Sequence, residues 1–73
     1  MTHEEFIVNL WENVRNCPQE WRLGQKVFNV CEDLYGGVAR DVQFIDGVDC
    51  FYNDQKIDDF LNAVWERLKN DNN

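Results

Sequence analysis

The chain has 73 residues, and a domain of this size buries only about 60% of the surface that its unfolded form exposes. Hydrophobic residues make up 44% of the sequence and aromatic residues 14%, which excludes an intrinsically disordered chain. The formal net charge is −7, and residues 32–73 hold ten of the fourteen acids. Because this charge repels phosphate backbones and no basic stripe opposes it, the composition disfavours nucleic acid as a partner.

The cysteines and the polar N-terminal residues indicate the cellular compartment of the protein. Cys17, Cys31 and Cys50 are odd in number and no pair has CxxC spacing, so they predict neither a disulfide framework nor a zinc ribbon. Residues 1–5 have no basic segment leading into an apolar stretch, and no apolar run approaches the length of a membrane span. We therefore expect a cytoplasmic protein with reduced thiols and no contact with a membrane.

Two helices are predicted in the first half of the chain. Thr2 and Glu5 have capping-box spacing, and apolar residues then recur at intervals of three and four, which predicts a helix over residues 3–16. Pro18 suits the first turn of a helix, so a second helix is predicted over residues 18–35, with the glycine pair that follows as its stop.

The second half contains one ambiguous segment and one clear helix. Residues 38–45 fit a short helix near 38–43 or a stub of strand, and we favour the helix. Residues 46–54 are rich in turn formers, and a last helix is predicted over 54–69 because its apolar residues keep the helical period. Residues 70–73 are predicted to form a disordered tail. The expected fold is all-α: a compact bundle of three main helices in a single domain over residues 1–73.

No arrangement of residues predicts catalysis, a metal site or a cofactor. The acids from Asp46 to Asp59 lack the spacing of an EF-hand loop, so capping and solvation of the loop are the expected roles. His3 lies at the N-terminus, Cys31 falls on an apolar helix face, and Cys17 and Cys50 remain as the plausibly exposed thiols. We predict a protein that is not an enzyme.

A polar stripe runs along the predicted second helix. Arg22, Lys26 and Asn29 lie at successive steps of three or four residues, with Gln25 beside them. The stripe is either a phosphate-binding face or, as we favour, a set of bases paired with acids of the last helix or of the 46–54 loop.

Two aromatic residues and one glycine lead to two further predictions. Phe51 and Tyr52 lie in a segment otherwise made of Asp, Gly and Asn, and they are either an exposed anchor for a partner protein or a cap on the end of the bundle. Gly24 is predicted to mark a close crossing of two helices, where a side chain would not fit.

Two stretches, QEWRLGQKVFN over residues 19–29 and DGVDCFYNDQKIDDFL over 46–61, resemble a family of small uncharacterised bacterial and bacteriophage proteins. Its members carry a W-R-x-G-Q-x-x-F-N run and a D-x-F-Y-[DN]-D segment, often with Pro at the position of Cys50. The resemblance implies a small-module fold and a phage or mobile-element origin, with no established activity. It also implies that Arg22, Gln25, Asn29 and Asp49 meet in space as a hydrogen-bond network or a binding site.

The leading hypothesis is therefore a small, acidic, non-enzymatic protein-interaction or regulatory module that binds a protein partner or itself. A first alternative is an acidic mimic of nucleic acid that inhibits a host enzyme, and a second is weak nucleic-acid binding through the face of Arg22 and Lys26. The candidate interaction residues are Arg22, Gln25, Lys26, Asn29, Asp49, Phe51 and Tyr52.

Overall fold

The computed structural model describes residues 1–71, with side chains through residue 70. Within this part of the chain all regular structure is helical and no strand occurs, so the prediction of an all-α fold is confirmed. The Cα radius of gyration of 11.3 Å indicates a compact molecule. The elements are α1 (His3–Val14), α2 (Leu23–Tyr35), α3 (Val38–Phe44) and α4 (Ile57–Asp71), with a short 3₁₀ turn (Asp54–Lys56) leading into α4.

The predicted capping box starts α1. The backbone amide of Thr2 donates to Oε1 of Glu5 at 2.8 Å, and the amide of Glu5 donates to Oγ1 of Thr2 at 3.1 Å. The first of these bonds holds the pKa of Glu5 below its usual value, because it favours the charged carboxylate. The helix ends at Val14, two residues before the predicted end, and Cys17 closes a turn by donating its amide to the Val14 carbonyl at 3.1 Å.

The predicted start of α2 at Pro18 is wrong, because the helix begins at Leu23. Pro18 instead opens a turn in which its carbonyl accepts the Trp21 amide at 3.2 Å. Arg22 is extended at the N-cap and offers no capping side chain. The cap comes from Asp54, thirty residues along the chain, whose Oδ1 accepts the Gly24 amide at 2.8 Å. A cap from so distant a residue cannot be predicted from the sequence around the start of α2.

The glycine pair ends α2 as predicted. Gly36 has a φ of +63°, a left-handed conformation that glycine adopts without a steric penalty, and its amide donates to the Glu32 carbonyl at 3.0 Å. The helix α3 then begins at Val38, so residues 38–44 form the favoured helix and not a strand.

The last helix begins close to its predicted start. Asn53 accepts the Gln55 amide on Oδ1 at 3.0 Å and caps the 3₁₀ turn that leads into α4. The helix continues through Asn70 and Asp71, two residues that were predicted to lie in a disordered tail. Residues 72 and 73, the rest of that predicted tail, lie outside the described residues.

The core is a single cluster of buried apolar residues from all four helices and the α3–α4 connection. Aromatic rings link the helices: Phe6 of α1 lies 5.4 Å from Trp65 of α4, and Phe28 of α2 lies 5.6 Å from Phe60 of α4, measured between ring centroids. Trp11 and Trp65 are half-buried against this cluster. Its fully buried members with the largest side chains are Phe6, Phe60, Leu10, Val27, Val42 and Val64.

Candidate interaction site at the loop between α3 and α4

Residues 45–53, here called the α3–α4 loop, are fixed first to α3. Asp49 makes the link, since its Oδ2 accepts the Gln43 side-chain amide at 3.0 Å and its Oδ1 accepts the Phe51 backbone amide at 2.8 Å. The amide of Val48 donates to the Val42 carbonyl at 3.2 Å. One half-buried carboxylate therefore sets the path of the loop across the end of α3.

A second attachment joins the loop to α4. The guanidinium of Arg67 donates from Nε to Oδ2 of Asp46 at 3.1 Å and from Nη2 to Oδ1 at 2.8 Å, a bidentate geometry. These hydrogen bonds hold the pKa of Asp46 below its usual value. Arg67 also approaches Asp41 of α3 at 4.0 Å, so α3, the loop and α4 are joined by one cation.

The third attachment joins the end of the loop to the first turn of α2. Asp54 caps Gly24, and the Sγ of Cys50 donates to the Gly24 carbonyl at 3.4 Å. A Cβ at Gly24 would overlap the carbonyl oxygen of Cys50. The glycine is therefore required by close approach, as predicted, but its neighbour is the backbone of the loop and not a second helix, so the predicted helix crossing is wrong.

Burial of Cys50 contradicts the prediction that it is an exposed thiol. It is 0% exposed, because the loop folds its side chain under the first turn of α2. Burial raises the pKa of Cys50 to about 12 and that of Cys31 also to about 12, since a thiolate loses its hydration there. Cys17 is half-buried, and all three are free thiols.

The two aromatic residues of the loop have different environments. Phe51 is half-buried, and its ring meets Phe28 edge to face with centroids 5.7 Å apart. Tyr52 is 74% exposed, and its ring lies 4.7 Å from that of Phe51. Each of the two predicted alternatives thus describes one residue: Phe51 closes the core, and Tyr52 is the exposed aromatic.

Phe44 and Ile45, which the sequence did not single out as a site, are also exposed, at 77% and 70%. Phe44 directly follows Gln43, and Ile45 is the next residue. Asp49 ties Gln43 to the residue before Tyr52, so the segment that carries Phe44 and Ile45 and the segment that carries Tyr52 lie at the same end of the molecule. We call Phe44, Ile45 and Tyr52 the loop surface. On a helical wheel Phe44 falls opposite the buried Val42, so the exposure of Phe44 could have been predicted from the sequence.

The polar stripe of α2 does not pair as predicted. Arg22 donates from Nη1 to the Tyr52 carbonyl at 3.4 Å, and among residues 1–70 neither Arg22 nor Lys26 forms an ion pair. Gln25 and Asn29 are half-buried on the same helix, and no hydrogen bond within the described side chains joins them to Asp49. The structure therefore brings Arg22 to the loop, and no hydrogen bond among the described side chains joins the other three members of the stripe to Asp49.

Carboxylates without an ion pair or hydrogen bond are spread over the molecule. Among residues 1–70 they come from α1, the α1–α2 connection, α2 and α4, whereas the remaining acids cap helices, hold the loop or pair with a base. In the same part of the chain no group of three or more His, Cys, Asp or Glu is arranged to hold a metal ion. The unpaired set is Glu4, Glu12, Glu20, Asp33, Asp58 and Asp59.

No helix among the described residues has the length and apolar character to cross a membrane. Comparisons of the chain with protein-family models, with curated proteins and with solved structures found no match.

Proposed function

We propose that this chain is a small, non-enzymatic protein-interaction module of the cytoplasm, which binds a partner protein through the loop surface. The resemblance of residues 19–61 to small bacterial and bacteriophage proteins supports a phage or mobile-element origin. A regulatory role follows from the proposal, because a module without its own chemistry acts by changing what its partner does.

The exposure of Tyr52 on a fixed support is the observation that carries this proposal. Its ring rests on Phe51, which packs on Phe28, and its carbonyl accepts from Arg22. Because the backbone at Tyr52 is already held by the loop, less conformational entropy is lost when a partner covers this side chain. Tyrosine is among the residues enriched at the hot spots of protein interfaces.

The charge of the molecule favours a partner with a basic surface. The net charge is −7, and Asp58 and Asp59 lie exposed and unpaired in the first turn of α4, directly after the loop and its 3₁₀ turn. Acidic side chains around an apolar centre increase the rate of association with a basic partner and repel acidic competitors. We therefore expect a binding site with an apolar pocket for Tyr52 and basic residues at its rim.

Two observations support the non-enzymatic part of the proposal. Cys31 and Cys50 are buried with pKa values raised to about 12, which makes them poor nucleophiles at neutral pH. The ring of His3 lies 5.2 Å from that of Trp65 and 6.1 Å from that of Phe6, in an aromatic cluster. Among the described residues, the ring contacts of His3 are with Phe6 and Trp65, and no hydrogen bond joins it to Cys31 or Cys50.

The proposal is tested by affinity capture followed by calorimetry. The immobilised protein is used to isolate a stoichiometric partner from a bacterial lysate, and the purified partner is then titrated with wild type and variants. Tyr52→Ala is expected to weaken binding at least about 30-fold, the effect of losing a hot-spot residue. Val8→Ala is the matched control, because Val8 is 48% exposed on α1 outside the loop surface.

Several outcomes would contradict the proposal. A chain that captures no stoichiometric partner and stays monomeric in sedimentation analysis is not an interaction module. Equal weakening by Tyr52→Ala and Val8→Ala would place the binding elsewhere. Displacement of the partner by duplex DNA would favour the nucleic-acid mimic, and a gel shift of DNA by the protein alone at low salt would favour direct binding through Arg22 and Lys26.

A further inference from the structure

A groove separate from the loop surface lies between the end of α1 and the outer face of α2. Its volume is about 260 Å³. Its apolar wall is formed by Pro18 and Trp21 of the α1–α2 connection together with Val30 and Leu34 of α2. Leu34 is 41% exposed and Trp21 is half-buried, so this apolar lining is open to a ligand from solvent.

The Cys17 thiol and the Trp21 indole N–H are donors, whereas the other charged or polar side chains in this lining each offer an acceptor. Asp33 is exposed and has no ion pair or hydrogen bond among residues 1–70, and no basic residue lines the groove. Asn13 and Asn16 donate their Nδ2 groups back to α1, to the carbonyls of Asn9 at 2.8 Å and Glu12 at 3.4 Å. Their Oδ1 atoms remain as acceptors.

The backbone adds to this negative potential. The groove lies at the C-terminal end of α1, where the last carbonyls carry the negative end of the helix dipole. The last turns of α1 and α2 hold no basic residue, and Arg15, the C-cap of α1, does not line the groove. An anion would therefore be repelled, and a purely apolar ligand would cover Asp33 without pairing it, which costs free energy.

We propose that this groove binds an arginine side chain of a partner protein. The methylene stem would lie along Val30 and Leu34, while the guanidinium meets the carboxylate of Asp33 and the indole of Trp21. Arginine fits better than lysine, because its planar guanidinium both stacks on an aromatic ring and bonds a carboxylate with two N–H groups. Arginine is also among the residues enriched at the centres of protein interfaces.

This site goes beyond the proposed function, since it shares no residue with the loop surface and names one residue type in the partner. A single partner that contacts both sites gains affinity from each. The two proposals are independent. A Tyr52→Ala variant that binds the partner like wild type would contradict only the loop surface, and a groove that does not bind the arginine side chain would contradict only the groove.

The test uses the full chain labelled with ¹⁵N and two small probes, N-acetyl-arginine methylamide and its neutral isostere N-acetyl-citrulline methylamide. Chemical-shift changes of backbone amides and of the Trp21 indole N–H are followed during titration, with the indole signal assigned from Trp21→Phe. The arginine probe is expected to shift the signals of residues 13–21 and 30–34. The citrulline probe is expected to cause shifts about two- to fivefold smaller at equal concentration, because it cannot pair with the carboxylate.

Asp33→Asn is expected to weaken binding of the arginine probe about two- to fivefold, the effect of one exposed charge pair. Glu4→Gln removes another exposed and unpaired acid, at the start of α1 outside the groove, and should leave the titration unchanged. Equal shifts by both probes, shifts confined to other surfaces, no shifts at all, or an Asp33→Asn variant that binds like wild type would each overturn the proposal. The two-probe comparison on wild type decides the matter even if a variant fails to fold.

Discussion

Replacement of Gly24 by alanine tests whether the loop is held by its close approach to α2. The added methyl group would overlap the Cys50 carbonyl and lie 3.0 Å from Oδ1 of Asp54. The atom that it meets belongs to the backbone, so no rotation of a side chain relieves the overlap. We expect the loop to move away from the first turn of α2 and to break the hydrogen bond between Asp54 and the Gly24 amide.

The size of the effect follows from three contributions. Overpacking of a close contact costs about 1–3 kcal/mol, and loss of a helix cap costs about 0.5–2 kcal/mol. The higher helix propensity of alanine offsets up to about 1 kcal/mol of this. The net expectation is a loss of about 2–3 kcal/mol in the free energy of unfolding, which lowers Tm by roughly 10–20 °C in a domain of this size.

Thermal and urea unfolding followed by far-ultraviolet circular dichroism measure this change. Gly37→Ala is the matched control, because Gly37 has a φ of −66° and nothing lies within 4 Å of an added Cβ. It is expected to change the free energy of unfolding by less than about 1 kcal/mol, because alanine reduces the entropy of the unfolded state but is a poorer N-cap for α3 than glycine. A Gly24→Ala variant within about 1 kcal/mol of wild type would refute the close approach.

Three further predictions concern the same junction and the thiols. Asp54→Ala removes the cap on Gly24 and should lower the free energy of unfolding in urea by about 1 kcal/mol. Asp54→Asn should keep most of the stability, because the asparagine side chain can also accept the Gly24 amide. Equal losses in the two variants would show that the carboxylate charge, and not the cap geometry, is what matters. Native protein treated with iodoacetamide at pH 8 should gain one adduct by mass spectrometry, at the half-buried Cys17. A native adduct at Cys31 or Cys50 would contradict their burial. Because burial raises the pKa of both thiols from 9.0 to about 12, the folded state should lose stability as pH rises from about 9 towards 12, which unfolding at a series of pH values would measure.

Features with a local cause were predicted well from the sequence. The capping box of Thr2 and Glu5, the stop at Gly36 and the start of α4 near Asn53 each depend on residues within one helical turn. The apolar period likewise identified the helical class of the fold. In these cases the pattern and the interaction that it reports lie in the same short segment.

Candidate site residues were predicted in part. Tyr52 was identified as an aromatic in a polar segment, but its exposure could not be separated from that of Phe51, because the choice depends on which ring meets Phe28. Asp49 was identified through the resemblance, but its partner is Gln43 and not the stripe of α2. Ile45 lies in the segment 38–45, which was predicted to be a short helix or a stub of strand, and neither prediction indicated its exposure.

The sequence by itself determined that this chain folds as acidic helices with buried apolar stripes, because helical period, caps and stops are interactions between near neighbours. Tertiary structure alone decided where α2 begins, that Cys50 is buried and how the loop is held. Each of these depends on Gly24 meeting Cys50 and Asp54, residues 26 and 30 positions apart. Contacts over such separations arise only after the helices have packed, so no local pattern records them.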